Sequence, residues 1–112
     1  LERVRALKKD LPVILMGDFN AVAKRNPAYE VLVGPDKFVD TWYAAEKREN
    51  EGWNSFSGFK PLKKDGARID WVLVRGPVKV EKAELVTFQK DGKFPSDHCP
   101  VVAWIHLGEH AK

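Results

Sequence analysis

The sequence predicts an α/β chain with more strand than helix, and three observations carry that expectation. The run Pro12-Val13-Ile14-Leu15-Met16 is apolar at consecutive positions, which suits a strand covered on both faces. Three later segments, residues 69–74, 78–88 and 99–107, read as further strands bounded by Gly, Pro and Asp turn residues. Against these strands stand only one strong amphipathic helical pattern and a shorter one. With 112 residues, 44% of them hydrophobic, the chain is at most one domain and has enough apolar mass for a real core.

The elements follow in order. Leu1, Val4, Leu7 and Leu11 recur at helical spacing, with Lys8 and Lys9 near the end, where cations suit the helix dipole. Residues 13–16 form the first strand. Asn26-Pro27 reads as a helix start with Pro27 at the first helical position, residues 29–33 following and Gly34-Pro35 stopping it. Residues 38–42 suit a short strand, and 43–49 a polar turn or helix. Residues 50–66 are loop-rich, with Trp53, Phe56 and Phe59 interleaved among glycines and a basic edge from Lys60, Lys63 and Lys64. Such a loop can stack on a substrate, although packing onto the core is the commoner use of aromatics. Gly76-Pro77 separates the next two strands, and Asp91-Gly92-Lys93 turns the chain before the last. The tail after Leu107 is polar and expected to fray. Several strands thus want cover on both faces, and the helices are too few to give it. The chain is expected either to dimerise or to be part of a larger domain.

Composition excludes several classes. The net charge of +3, from 19 basic and 16 acidic residues, permits phosphate contacts without arguing for nucleic acid. One cysteine, Cys99, forbids an internal disulfide and does not fix the compartment. No apolar stretch is long enough to span a membrane. One Cys and three His at unsuitable spacing make no structural zinc site. There is no P-loop, no G-x-G-x-x-G and no G-x-S-x-G elbow. Ser96-Asp97-His98 has the letters of a relay, but consecutive residues cannot align as one.

Polar groups of catalytic type stand at the edges of the apolar strands. Asp18 and Asn20, in Gly17-Asp18-Phe19-Asn20, close the first strand and are two residues apart, so an extended backbone points them the same way. A carboxylate can orient or deprotonate water, and a carboxamide NH₂ can donate to a developing negative oxygen. The plainer alternative is a turn, where Gly, Asp and Asn are common for backbone reasons. Asp70 opens another strand among apolar neighbours, which is costly unless it is paired. Its partner is either Arg68, on the same strand face, or His98, whose tautomer a carboxylate would fix. Asp97 and His98 can serve one centre only from a turn, because extended neighbours face opposite ways. His106 and His110 read as a strand residue and a tail residue with no chemical role.

Taken together, Gly17-Asp18-Phe19-Asn20, Arg68-Ile69-Asp70-Trp71 and Ser96-Asp97-His98-Cys99-Pro100-Val101 resemble the endonuclease/exonuclease/phosphatase superfamily, the fold of DNase I and the exonuclease III-type enzymes. The resemblance runs from about Pro12 to Ile105. It implies a four-layer α/β/β/α sandwich and a phosphoesterase, dependent on Mg²⁺ or Mn²⁺, that cleaves by in-line attack of water. Carried over, Asp18 would activate the water and Asn20 would hold the phosphate. His98, oriented by Asp70, would contact the scissile phosphate, and Asp97 would lie at the metal. A hard cation prefers such oxygen ligands, and a phosphoryl transition state wants donors on its equatorial oxygens.

The family also carries an early Asn, a metal-binding Glu and a His-bearing strand before this region, in a fold about twice this length. The chain is therefore expected to be the C-terminal part of one such domain. Its sheet would be covered by an N-terminal half or a second copy, and alone it would be weakly active or inactive. Substrate is open among nucleic acid, a phospholipid headgroup and a sugar phosphate. Asn54-Ser55-Phe56-Ser57-Gly58-Phe59 looks more like a broad bacterial group of hydrolases than like the repair nucleases. The alternative function is a non-catalytic half-domain that binds a partner through its uncovered sheet face.

Overall fold

The computed structural model describes residues 2–7 and 10–108. Two three-stranded sheets form its frame. In the first, β1 (Val13–Asp18) and β2 (Val39–Asp40) flank β4 (Asp70–Arg75), both antiparallel to it. In the second, β5 (Val78–Leu85) lies between β3 (Lys47–Glu49) and β6 (Val101–Leu107). The β5–β6 pair is antiparallel and the β3–β5 pair parallel. Helices are short: α1 (Glu2–Arg5), α2 (Pro27–Leu32) and α3 (Thr41–Ala44). The result is a mixed α/β chain with more strand than helix, as the sequence predicts, and its sheets are mostly antiparallel.

Local chemistry sets the boundaries. Asn26 caps α2, its Oδ1 accepting the Ala28 N–H at 2.8 Å, with Pro27 in the first turn, where a missing N–H is harmless. Asp40 caps α3 in the same way, accepting the Trp42 N–H at 3.0 Å. That cap is why the expected strand over 38–42 stops after Val39–Asp40. Gly76 turns β4 into β5 with φ +91°, and a Cβ there would lie 2.6 Å from the Leu11 carbonyl oxygen. Only glycine fits that approach.

The core has two parts. Trp71 and Leu73 of β4 pack with Phe38, Tyr29, Ala21 and Ala23 on the side of α2, and the Phe19 ring stacks on Trp71 at 4.3 Å between centroids. Val74 points to the other face of β4 and joins Trp42, Val80, Ala83, Leu85 and Cys99 over the second sheet. The expectation that residues 13–16 are covered on both faces needs correction. Val13 and Leu15 pack on the first cluster, whereas Ile14 is exposed and Met16 is 70% exposed. The described helices cover one face of β1 and leave the other open.

The strand expected over 78–88 ends at Leu85, and the one expected from residue 99 begins at Val101. Residues 43–49 split into the end of α3 and β3, a short edge strand. Leu7 and Leu11 are exposed, so the N-terminal periodicity does not seat these two leucines in the core. Leu1, Lys8, Lys9 and His110 lie outside the described residues. Among the described residues, no helix is long and apolar enough to cross a membrane.

Candidate active site

The antiparallel register sets Gly17 opposite Trp71 and Asp18 opposite Asp70. Two carboxylates from separate parts of the sequence thus meet at one end of the first sheet. His98 arrives from the second sheet, three residues before β6 begins. Bends at residues 95–97 deliver it, and its N–H donates to Ser96 Oγ at 3.2 Å. His98 Nδ1 lies 2.9 Å from Asp70 Oδ2, and Nε2 lies 3.6 Å from Asp18 Oδ2. The imidazole therefore sits between two carboxylates.

That position raises the His98 pKa above the usual imidazole value. The hydrogen bond that His98 donates to Asp70 is the largest cause and partial burial opposes it, while the charges of Asp70, Asp18 and Asp97 add in the raising direction. With the Nδ1 proton directed at Asp70, Nε2 faces Asp18 and the cleft. Asp18, Asp70, His98, Met16 and Ser96 line a cleft of about 490 Å³, a volume suited to a small ligand. The Phe56 ring stands edge-on to the imidazole at 5.0 Å.

The alternative partner for Asp70, Arg68, points elsewhere. Its guanidinium forms a buried ion pair with Asp40, donates to the Asp70 backbone carbonyl at 3.2 Å, and lies over the Trp42 ring at 5.4 Å. Tyr29 also donates to Asp40, at 2.9 Å. Burial, with the Asp40 charge and hydrogen bond adding, pushes the Tyr29 phenol above the ordinary tyrosine range.

Asn20 lies beyond the end of β1 with φ +51°, and its N–H donates to Asp18 Oδ1 at 2.9 Å. This is the local turn that Asp and Asn favour. Strand parity stops at Asp18, so it does not govern where the carboxamide points. Asp97 is half-buried beside His98. Its carbonyl accepts the N–H groups of Ser57 and Gly58 at 2.8 and 3.1 Å. Its carboxylate does not belong to the group of Asp18, Asp70 and His98, whose ligand atoms lie within 4.8 Å of one another. Two carboxylates and an imidazole are a donor set that a divalent cation accepts, the carboxylates suiting hard ions such as Mg²⁺ and Mn²⁺. Cys99 is buried, which pushes its thiol pKa up and makes it a poor nucleophile.

The sequence marks residues 54–58 only as part of an aromatic loop and of a hydrolase-like segment, with no site residue among them. This loop runs beside the site, and Ser55 touches both halves of it. Ser55 Oγ accepts the N–H of Ile69 at 2.8 Å and of Asp70 at 3.3 Å, while its carbonyl accepts the Cys99 N–H at 2.7 Å. Nothing local in the sequence marks this serine, because each of these partners is distant along the chain.

Comparison with known proteins supplies context. The sequence pattern of the Endonuclease/Exonuclease/phosphatase family matches residues 1–98. Among solved structures, an endonuclease/exonuclease/phosphatase family protein from Bacteroides thetaiotaomicron is similar at 26% identity and TM-score 0.82, over 97% of this chain and 40% of that one. A mannosyl-6-phosphatase from the same organism is similar at 28% identity and TM-score 0.75, over 95% of this chain and 41% of that one. A functionally unknown conserved protein from Enterococcus faecalis matches at 28% identity and TM-score 0.75, over 95% of this chain and 40% of that one. The chain thus spans about 40% of the length of these solved relatives. No curated protein matches it.

Proposed function

This chain belongs to the endonuclease/exonuclease/phosphatase family, and on that premise we propose that it carries the catalytic strand ends of a metal-dependent phosphoesterase. The observation that supports this most is the placement of His98 between Asp70 and Asp18 at the mouth of a cleft. In this reading Asp18 orients and deprotonates the attacking water. Asp70 holds His98 by Nδ1, leaving Nε2 to contact the scissile phosphate and offset its charge. Asn20 binds a phosphate oxygen through its carboxamide. A divalent cation, Mg²⁺ or Mn²⁺, would be held by carboxylate oxygens of Asp97 and of Asp18, and when bound would act as a Lewis acid on a phosphoryl oxygen.

We further propose that the chain forms the C-terminal part of a single domain of this family. The open face of β1, with Ile14 and Met16 exposed, is where the remainder of that domain or a second copy would pack. A sugar phosphate is the favoured substrate class, on the similarity to a mannosyl-6-phosphatase. Phospholipid headgroups and nucleic acid are the competing classes. The deciding experiment offers a sugar phosphate, a phospholipid and an oligonucleotide, with Mg²⁺ or Mn²⁺, to the whole protein that contains this chain. Asp18→Asn serves as the control. Phosphate release from the sugar ester, lost in Asp18→Asn, is the expected result. Equal turnover by Asp18→Asn would overturn the role given to Asp18.

A further inference from the structure

Ser55 is fully buried, at 0% exposure, yet it belongs to a loop and not to any strand. A buried hydroxyl needs partners, and this one finds the N–H groups of Ile69 and Asp70, at the start of β4. The backbone of the same residue reaches the other side: its carbonyl takes the Cys99 N–H at 2.7 Å, and its own N–H goes to the Ala67 carbonyl at 3.2 Å. Asp70 and the neighbour of His98 are therefore tied to one residue. The next residues strengthen the tie. Phe56 forms a bridge with His98, and Ser57 and Gly58 both donate to the Asp97 carbonyl. Asn54, itself buried, fixes the loop by accepting the Lys63 N–H at 2.8 Å and donating to the Phe56 carbonyl.

This arrangement has a geometric consequence. Asp70 lies on the first sheet, whereas His98 precedes the last strand of the second. Among the described residues, no ladder hydrogen bond joins the two sheets, which are separate in their pairing. The 2.9 Å contact between Asp70 and His98 thus depends on something other than strand register. We propose that Ser55 is the positioning residue that sets the Asp70–His98 hydrogen bond, by fixing the two backbone segments to one buried side chain and one carbonyl. The catalytic significance of that hydrogen bond rests on the phosphoesterase reading, whereas the positioning itself does not.

The test reads the His98 tautomer directly, by long-range ¹H–¹⁵N correlation well above the titration of the ring. In the unaltered protein, neutral His98 is the Nδ1–H form, donating to Asp70. Ser55→Ala removes the acceptor for the Ile69 and Asp70 amides, and the ratio of Nδ1–H to Nε2–H falls by roughly threefold or more. Thr41→Val is the matched control, because Thr41, at the start of α3, is another buried hydroxyl, and it donates to the Val72 carbonyl of β4 at 2.7 Å. It destabilises without moving the ratio. An unchanged ratio in Ser55→Ala, or an equal fall in both variants, overturns the proposal.

Should Ser55→Ala fail to fold, amide exchange in the unaltered protein decides instead. The Ile69 and Cys99 amides are then expected to open together, with protection agreeing within about threefold, as parts of one local unit. Independent opening overturns the proposal. Neither readout involves turnover, so failure of the phosphoesterase assay leaves both outcomes interpretable.

Discussion

Two carboxylates in this chain each hold a basic partner, in opposite settings. The Asp40 and Arg68 side chains are 2% and 5% exposed, whereas those of Asp70 and His98 are 18% and 29% exposed. The first pair is closed off beneath Trp42 and Tyr29. The second opens on a cleft. Desolvation cancels much of the attraction within a buried pair, so the pair's effect is to demand that both members be present. A partly exposed pair keeps contact with water and ligand, and there a shifted pKa can serve chemistry. Arg68 and Asp70 stand two residues apart in one motif, and the structure buries one against Asp40 and sets the other beside His98 at a cleft.

The largest test of this contrast is Arg68→Ala. It leaves Asp40 buried with Tyr29 as its remaining side-chain donor, and denaturant unfolding should show a loss of about 3–5 kcal/mol. Next comes Tyr29→Phe, which removes one hydrogen bond to Asp40 at a cost of about 1 kcal/mol. Its pH signature is specific. The folded-state pKa of Tyr29 is raised, so its contribution is complete below the unfolded tyrosine value of about 10 and is lost as pH climbs from there toward the folded value. Melting temperature against pH should therefore fall less steeply on the alkaline side in Tyr29→Phe. Smallest is Asp70→Asn, where water reaches the pair and the stability change should stay within about 1 kcal/mol. A loss there as large as that of Arg68→Ala would erase the distinction between the pairs.

Much of this was readable in the sequence, and the failures have physical reasons. The consecutive apolar residues 13–16 and the Asn26-Pro27 cap carry local signals, and both elements form as expected. Asp70 with His98 was readable as one of two pairings, since a carboxylate among apolar residues needs a partner. Arg68 was misleading because strand parity favours a same-face pair, yet its guanidinium reaches Asp40 instead. Asp40 gave no warning that it would end a strand, cap α3 and hold Arg68 at once. β3 was hidden because Lys47-Arg48-Glu49 is wholly polar and pairs in parallel with a strand far along the chain. Ser55 stands in the quoted segment over residues 54–59, but its contacts with Ile69, Asp70 and Cys99 were hidden because those partners are distant along the chain. Asn20 shows the limit of period-two reasoning at a strand end, where a single left-handed residue resets which way side chains point.

In this picture Asp70 governs the state of His98, while Arg68 and Asp40 hold the fold. The direct measurement is an NMR titration of the His98 imidazole in the unaltered protein and in Asp70→Asn. In the unaltered protein His98 should titrate above the ordinary imidazole value of about 6.5, with the stabilisation from its protonated form present below that value and lost as pH rises through the raised one. Asp70→Asn should bring the midpoint back down, because the largest cause of the shift is gone. A midpoint that does not move on removing the Asp70 charge would show that Asp70 does not govern His98.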